Sequence, residues 1–102
     1  MNTYDKMVAF AKKRFPKASA DDHLLKIKEE VQEAIDNNKD ISEFADILLA
    51  LYAAAGKAGY KEAELKAAAE KKFKELRKRR WTCERVWDEE NGWYNCYKHV
   101  KK

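Results

Sequence analysis

The sequence predicts an all-α protein: a four-helix bundle that ends in a short C-terminal β-hairpin or extended tail. Three observations carry this. Apolar residues recur at helical spacing through four successive stretches. Helix breakers are scarce, with three Gly and one Pro in the chain, and Pro16 and Gly59 fall between those stretches. Beyond Arg80 the pattern changes to aromatic and β-prone residues on either side of an acidic, Gly-containing turn.

Helix 1 is expected over about Thr3–Phe15. Its stripe is Tyr4, Met7, Val8, Ala11 and Phe15, and Pro16 stops it. Helix 2 is expected over about His23–Asp36, capped by Ser19, Asp21 or Asp22, with Leu24, Ile27, Val31 and Ile35 as its buried face. The short loop Asn37–Asp40 makes helices 2 and 3 antiparallel neighbours. Helix 3, about Ile41–Ala58, is apolar nearly all round, which reads as a buried helix, and Gly59 ends it. Helix 4 is expected over about Lys61–Arg80, with Leu65, Ala68, Ala69, Phe73 and Leu76 facing inward. Residues 1–80 form the helical domain, and residues 81–102 are its hairpin or tail.

Length and composition bound the rest. A chain of 102 residues suggests one domain with a modest core. A formal charge of +4 suits an anionic ligand without demanding nucleic acid. No apolar run is long enough to span a bilayer, and the N-terminus lacks a signal-peptide pattern, so a cytoplasmic protein without a membrane partner is expected. Cys83 and Cys96 lack zinc-site spacing and read as free thiols that could sit opposite each other in the hairpin.

Two carboxylate pairs stand out, Glu30/Glu33 and Glu43/Asp46. Each has i,i+3 spacing, so both members share a helix face. The second pair lies within the most apolar helix, where an unpartnered charge is costly. Antiparallel packing of helices 2 and 3 can bring the pairs face to face. A divalent cation is the economical partner, and an all-oxygen ligand set suits Mg²⁺ or Mn²⁺. Di-iron bundles use ExxH pairs, which this chain lacks. On helix 4, Lys72 and Arg79 fall on the inward stripe, and two cations there suggest an anion. His23, two turns from Glu30, reads as a cap, surface or packing residue.

With these residues in view, EEVQE (Glu29–Glu33) followed by EFAD (Glu43–Asp46) resembles the ExxE…ExxD signature of the MazG-like all-α nucleoside triphosphate pyrophosphohydrolases. KKFKELRKRRW, the acidic turn and the YKHVKK ending are similar to the small phage and bacterial dATP/dGTP pyrophosphohydrolase branch. That branch often has Asn where this chain has Leu76. The resemblance implies Mg²⁺-dependent cleavage of a (deoxy)nucleoside triphosphate, with a purine dNTP (dATP or dGTP) favoured, to monophosphate and pyrophosphate. By position it implies Glu30, Glu33, Glu43 and Asp46 as metal ligands. It also implies Glu29 as the residue that orients or deprotonates water, and Lys72 and Arg79 as phosphate-holding cations. It further implies self-association as a dimer or tetramer, which a short chain with so apolar a third helix fits.

Two rivals compete with this reading. A nucleic-acid-binding module would use the basic helix 4 and the aromatic tail. It leaves Glu43 and Asp46 unexplained and ranks lower. A helical partner-binding protein with a vestigial acidic site would bind Mn²⁺ poorly.

Overall fold

The computed structural model describes residues 1–100. Four helices precede a two-stranded antiparallel hairpin: α1 (Thr3–Arg14), α2 (Ala20–Asp36), α3 (Ile41–Lys57), α4 (Glu62–Lys78), β1 (Trp81–Asp88) and β2 (Gly92–His99). The protein is mostly helical, as its sequence predicts. It divides into two compact units, Met1–Ala67 and the chain from Ala68 onward, with the boundary inside α4.

In the first unit each helix start is fixed by a side chain. Asn2 Oδ1 accepts from Asp5 N at 2.8 Å and caps α1. Ser19 and Asp22 form a reciprocal capping box on α2: Ser19 Oγ accepts from Asp22 N, and Asp22 Oδ2 accepts from Ser19 N. This box starts α2 about one turn before the predicted His23. Asp40 Oδ1 caps α3 by accepting from Ser42 N at 2.8 Å and from Ser42 Oγ at 2.7 Å. Left-handed Gly59 (φ 96°) ends α3 and lets Tyr60 N donate back to Ala55 O.

The helices α2 and α3 form the main antiparallel pair, and α1 packs on α3. The contact between α1 and α3 is close at Gly56, where a Cβ would overlap the Val8 methyl groups. Tyr4, 2% exposed, anchors α1: its hydroxyl donates to Tyr60 O at 2.7 Å, and its ring meets Tyr52 edge-on at 5.1 Å. Lys57 Nζ donates to Phe15 O and Ala18 O, both at 2.7 Å, and so ties the α1–α2 turn to the end of α3.

Three sequence expectations change here. The inward face of α2 is His23, Ile27, Glu30 and Ala34, while Leu24, Val31 and Ile35 are exposed. Ile27 stays inward, but the helix is turned by roughly 75° from the apolar stripe expected to face inward. Likewise α3 buries Ala53, Ala54 and Gly56, but leaves Ile41, Phe44, Leu48 and Leu51 exposed. The small residues of α3 accept its neighbours closely, and the large ones face outward. The inward stripe expected of α4 is not buried either: the helix has no buried residue, and Phe73 is exposed.

In the second unit, Trp81 Nε1 donates to Leu76 O at 3.0 Å and caps the end of α4. The hairpin pairs Trp81 with His99 through Asp88 with Gly92. Asp88 Oδ2 accepts from Asn91 N, and left-handed Gly92 (φ 81°) completes the turn. Cys83 lies opposite Tyr97 and Cys96 opposite Glu84, so the two thiols project from opposite faces. The sequence allowed them to face each other. A one-residue offset in register separates them, and both are free.

Candidate functional site

The turn between α2 and α3 determines what these helices bring together. Asn38 and Lys39 both adopt left-handed backbone (φ 53° and 61°), which reverses the chain tightly. The reversal sets the last turns of α2 against the first turns of α3. Glu30 and Glu33 from α2 and Glu43 from α3 then converge, each with a carboxylate oxygen within 4.8 Å of the others.

The environment of this trio is electrostatically tense. Glu30 is only 14% exposed, and its carboxyl is pushed above the ordinary range, first by burial and then by Glu33 and Asp46. Lys26 Nζ lies 3.9 Å from Glu30 and offsets part of the repulsion. Glu43 Oε1 accepts from Asn37 Nδ2 at 3.2 Å, while Glu43 Oε2 is shielded from water and has no hydrogen-bond partner. A buried acceptor without a donor is costly, and a hard cation would satisfy it. The donor set therefore fits Mg²⁺ or Mn²⁺.

A cavity of about 520 Å³ adjoins the carboxylates. Glu30, Glu33 and Asp46 line it, so Asp46 faces the same space although it is not one of the converging trio. The rest of the lining is largely apolar and includes Met7, Phe15, Leu49 and Ala50. His23 also lines the cavity. It is 9% exposed, and its Nε2 has no partner. Burial, and next the nearby Lys57, hold the imidazole pKa below its ordinary value.

The remaining sequence candidates sit elsewhere. Glu29 is largely exposed and pairs with Lys26 at 2.7 Å, which holds its carboxyl below the ordinary range. Lys72 and Arg79 belong to the second unit. Both approach Glu75 Oε2 at 3.9 Å. Lys72 is 61% exposed, not facing inward as expected, while Arg79 is half-buried. Sequence reasoning left Met7, Phe15, His23 and Lys26 out of the site. The helical spacing from Glu30 would have found Lys26 at i−4 and His23 at i−7.

The family model for dATP/dGTP pyrophosphohydrolases matches residues 3–93. This chain belongs to that family. The dATP/dGTP pyrophosphohydrolases are hydrolases acting on phosphoric anhydrides, so the protein is an enzyme and its substrate is a nucleotide. The matched span takes in all four helices and reaches the start of β2, so α1, with its share of the cavity wall, lies within the family region. Comparison with curated proteins and with solved structures finds no match. Among the described residues, no helix of this pyrophosphohydrolase is long and apolar enough to cross a membrane.

Proposed function

We propose that this protein hydrolyses the purine deoxynucleoside triphosphates dATP and dGTP to monophosphate and pyrophosphate, with Mg²⁺ or Mn²⁺ as cofactor, in the cytoplasmic nucleotide pool. The observation that carries the reading is the convergence of Glu30, Glu33 and Glu43 beside the unpartnered Glu43 Oε2. Glu30, Glu33, Glu43 and Asp46 hold the metal. When bound, the metal neutralises phosphate oxygens and activates water for attack.

The side chains divide the remaining work. Burial and its acidic neighbours penalise the Glu30 carboxylate, and a cation held there would offset both. Glu29 accepts a hydrogen bond from the attacking water. Because Lys26 keeps Glu29 ionised and weakly basic, its part is to orient water more than to take its proton. Lys72 and Arg79 hold the phosphates, and their shared 3.9 Å approach to Glu75 is loose enough for a more highly charged anion to displace. Self-association as a dimer or tetramer completes the reading. The exposed stripes Leu24/Val31/Ile35 and Phe44/Leu48/Leu51 support it, because apolar faces of this kind are costly in water.

The test is incubation with each dNTP and NTP plus Mg²⁺, with products separated by chromatography. Monophosphate and pyrophosphate from dATP and dGTP are expected. No turnover of any nucleotide, with Mn²⁺ also tried, would remove the reading. Lys72→Ala is expected to raise KM or lower kcat, and unchanged kinetics would take Lys72 out of the site.

A further inference from the structure

We propose that His23 is a specificity-determining residue that reads the N7 acceptor of a purine base lodged in the cavity beside the carboxylates. The inference rests on the triphosphate reading above and names how that same site chooses its base.

The cavity has two chemically distinct ends. Glu30, Glu33 and Asp46 form an anionic end suited to metal and phosphate. Met7, Phe15, Leu49 and Ala50 form apolar wall suited to a flat ring. His23 and Glu30 lie seven residues apart on one face of α2, which places their backbones about 10 Å apart. A nucleotide spans a comparable gap between its 5′ phosphates and its base. The volume of about 520 Å³ admits a purine with its sugar.

Asp22, His23 and Lys26 also line the cavity, and of these His23 is the buried one. Its side chain is nine-tenths buried, and Nε2 has neither protein partner nor water access. Such an atom is costly unless a ligand completes it. A neutral imidazole carries one N–H, and with that hydrogen on Nε2 it donates. The Phe15 ring stands edge-on to the imidazole at 6.3 Å and is half-exposed, so it can turn aside as the base enters.

The acceptor that fits is N7. Adenine and guanine both present N7, whereas at C6 one carries an amino donor and the other a carbonyl acceptor. A site that read C6 would separate dATP from dGTP. A single donor aimed at N7 accepts both and gains nothing from a pyrimidine. One histidine therefore gives a purine class without choosing within it.

The experiment compares kcat/KM for dATP, dGTP, 7-deaza-dATP and 7-deaza-dGTP, in wild type and in His23→Ala. The deaza analogues replace N7 by C–H and keep the ring shape. Wild type is expected to lose about tenfold on each deaza analogue, mostly in KM, because a hydrogen bond made equally in ground and transition states is lost. In His23→Ala the natural and deaza substrates should be used equally well, near the wild-type deaza level. Equal wild-type use of dATP and 7-deaza-dATP would overturn the proposal, and needs no folded variant. So would a His23→Ala enzyme that still discriminates. Turnover without N7 dependence removes only the role of His23, whereas no turnover of any nucleotide removes the reaction and this inference with it.

Discussion

Glu43→Gln tests the metal site without relying on turnover. The substitution keeps the side-chain shape and removes one of three converging negative charges. At an effective dielectric constant of 20, two unit charges 4.8 Å apart repel by about 3.5 kcal/mol, so the metal-free trio is a source of instability. A cation that binds only the folded protein, supplied at a hundred times its Kd, adds about 2.7 kcal/mol. For a chain of this size each kcal/mol moves Tm by roughly 4–8 °C, so saturating Mn²⁺ should raise wild-type Tm by on the order of 10 °C. Glu43→Gln should behave in the opposite sense in each condition. Its metal-free Tm should equal or exceed that of wild type, because repulsion is relieved. Its Mn²⁺-induced rise should fall to about half, because a tenfold weaker Kd removes about 1.4 kcal/mol of linkage. The assay is thermal unfolding at fixed protein concentration, with EDTA, Mg²⁺ or Mn²⁺, and ionic strength matched with NaCl. An equal metal-induced shift in wild type and variant would refute the assignment, as would no shift in wild type.

Other outcomes follow from the same structure. The folded-state pKa of Glu30 is raised, so between the ordinary and the raised value the folded metal-free protein binds more protons than the unfolded chain. The contribution of Glu30 to stability is therefore greatest at low pH and is lost as pH rises from the ordinary glutamate range through the raised value. The Tm difference between Glu30→Gln and wild type, measured in EDTA, should grow across that window, and a flat difference would contradict the shift. Phe44→Asp, on the outward face of α3, should convert the proposed assembly to monomer in light scattering while the circular dichroism signal of the helices is kept. A monomeric wild type would remove the assembly.

How much of this was legible in the sequence differs by element. The helices, the tight α2–α3 turn and the hairpin follow from local rules: caps at Ser19 and Asp40, a stop at Gly59, and β-prone residues after Arg80. Convergence of Glu30, Glu33 and Glu43 followed from i,i+3 spacing and a short antiparallel link. The facing of α2 was not legible, because hydrophobicity alone assigns the largest apolar residues to the inside. In α2 the inward positions go to His23, Glu30 and Ala34, and the first two line the cavity. Leu24, Val31 and Ile35 point away. The same bias hid the outward face of α3, since a residue pattern records that a side chain avoids water but not which molecule covers it. Lys72 and Arg79 were placed inward by periodicity on a helix that buries no residue at all.

The Lys57 amine has a consequence for the cavity as a mechanical object. Two backbone carbonyls of the α1–α2 turn, Phe15 O and Ala18 O, hang on this single charged group at the end of α3. The side chains of the same two residues form cavity wall, so the Lys57 arm ties that wall to the end of α3. Lys57 also supplies the positive charge that, after burial, depresses the imidazole of His23. Acetylation of that amine would remove a tether of the wall and a charge beside His23 in one event.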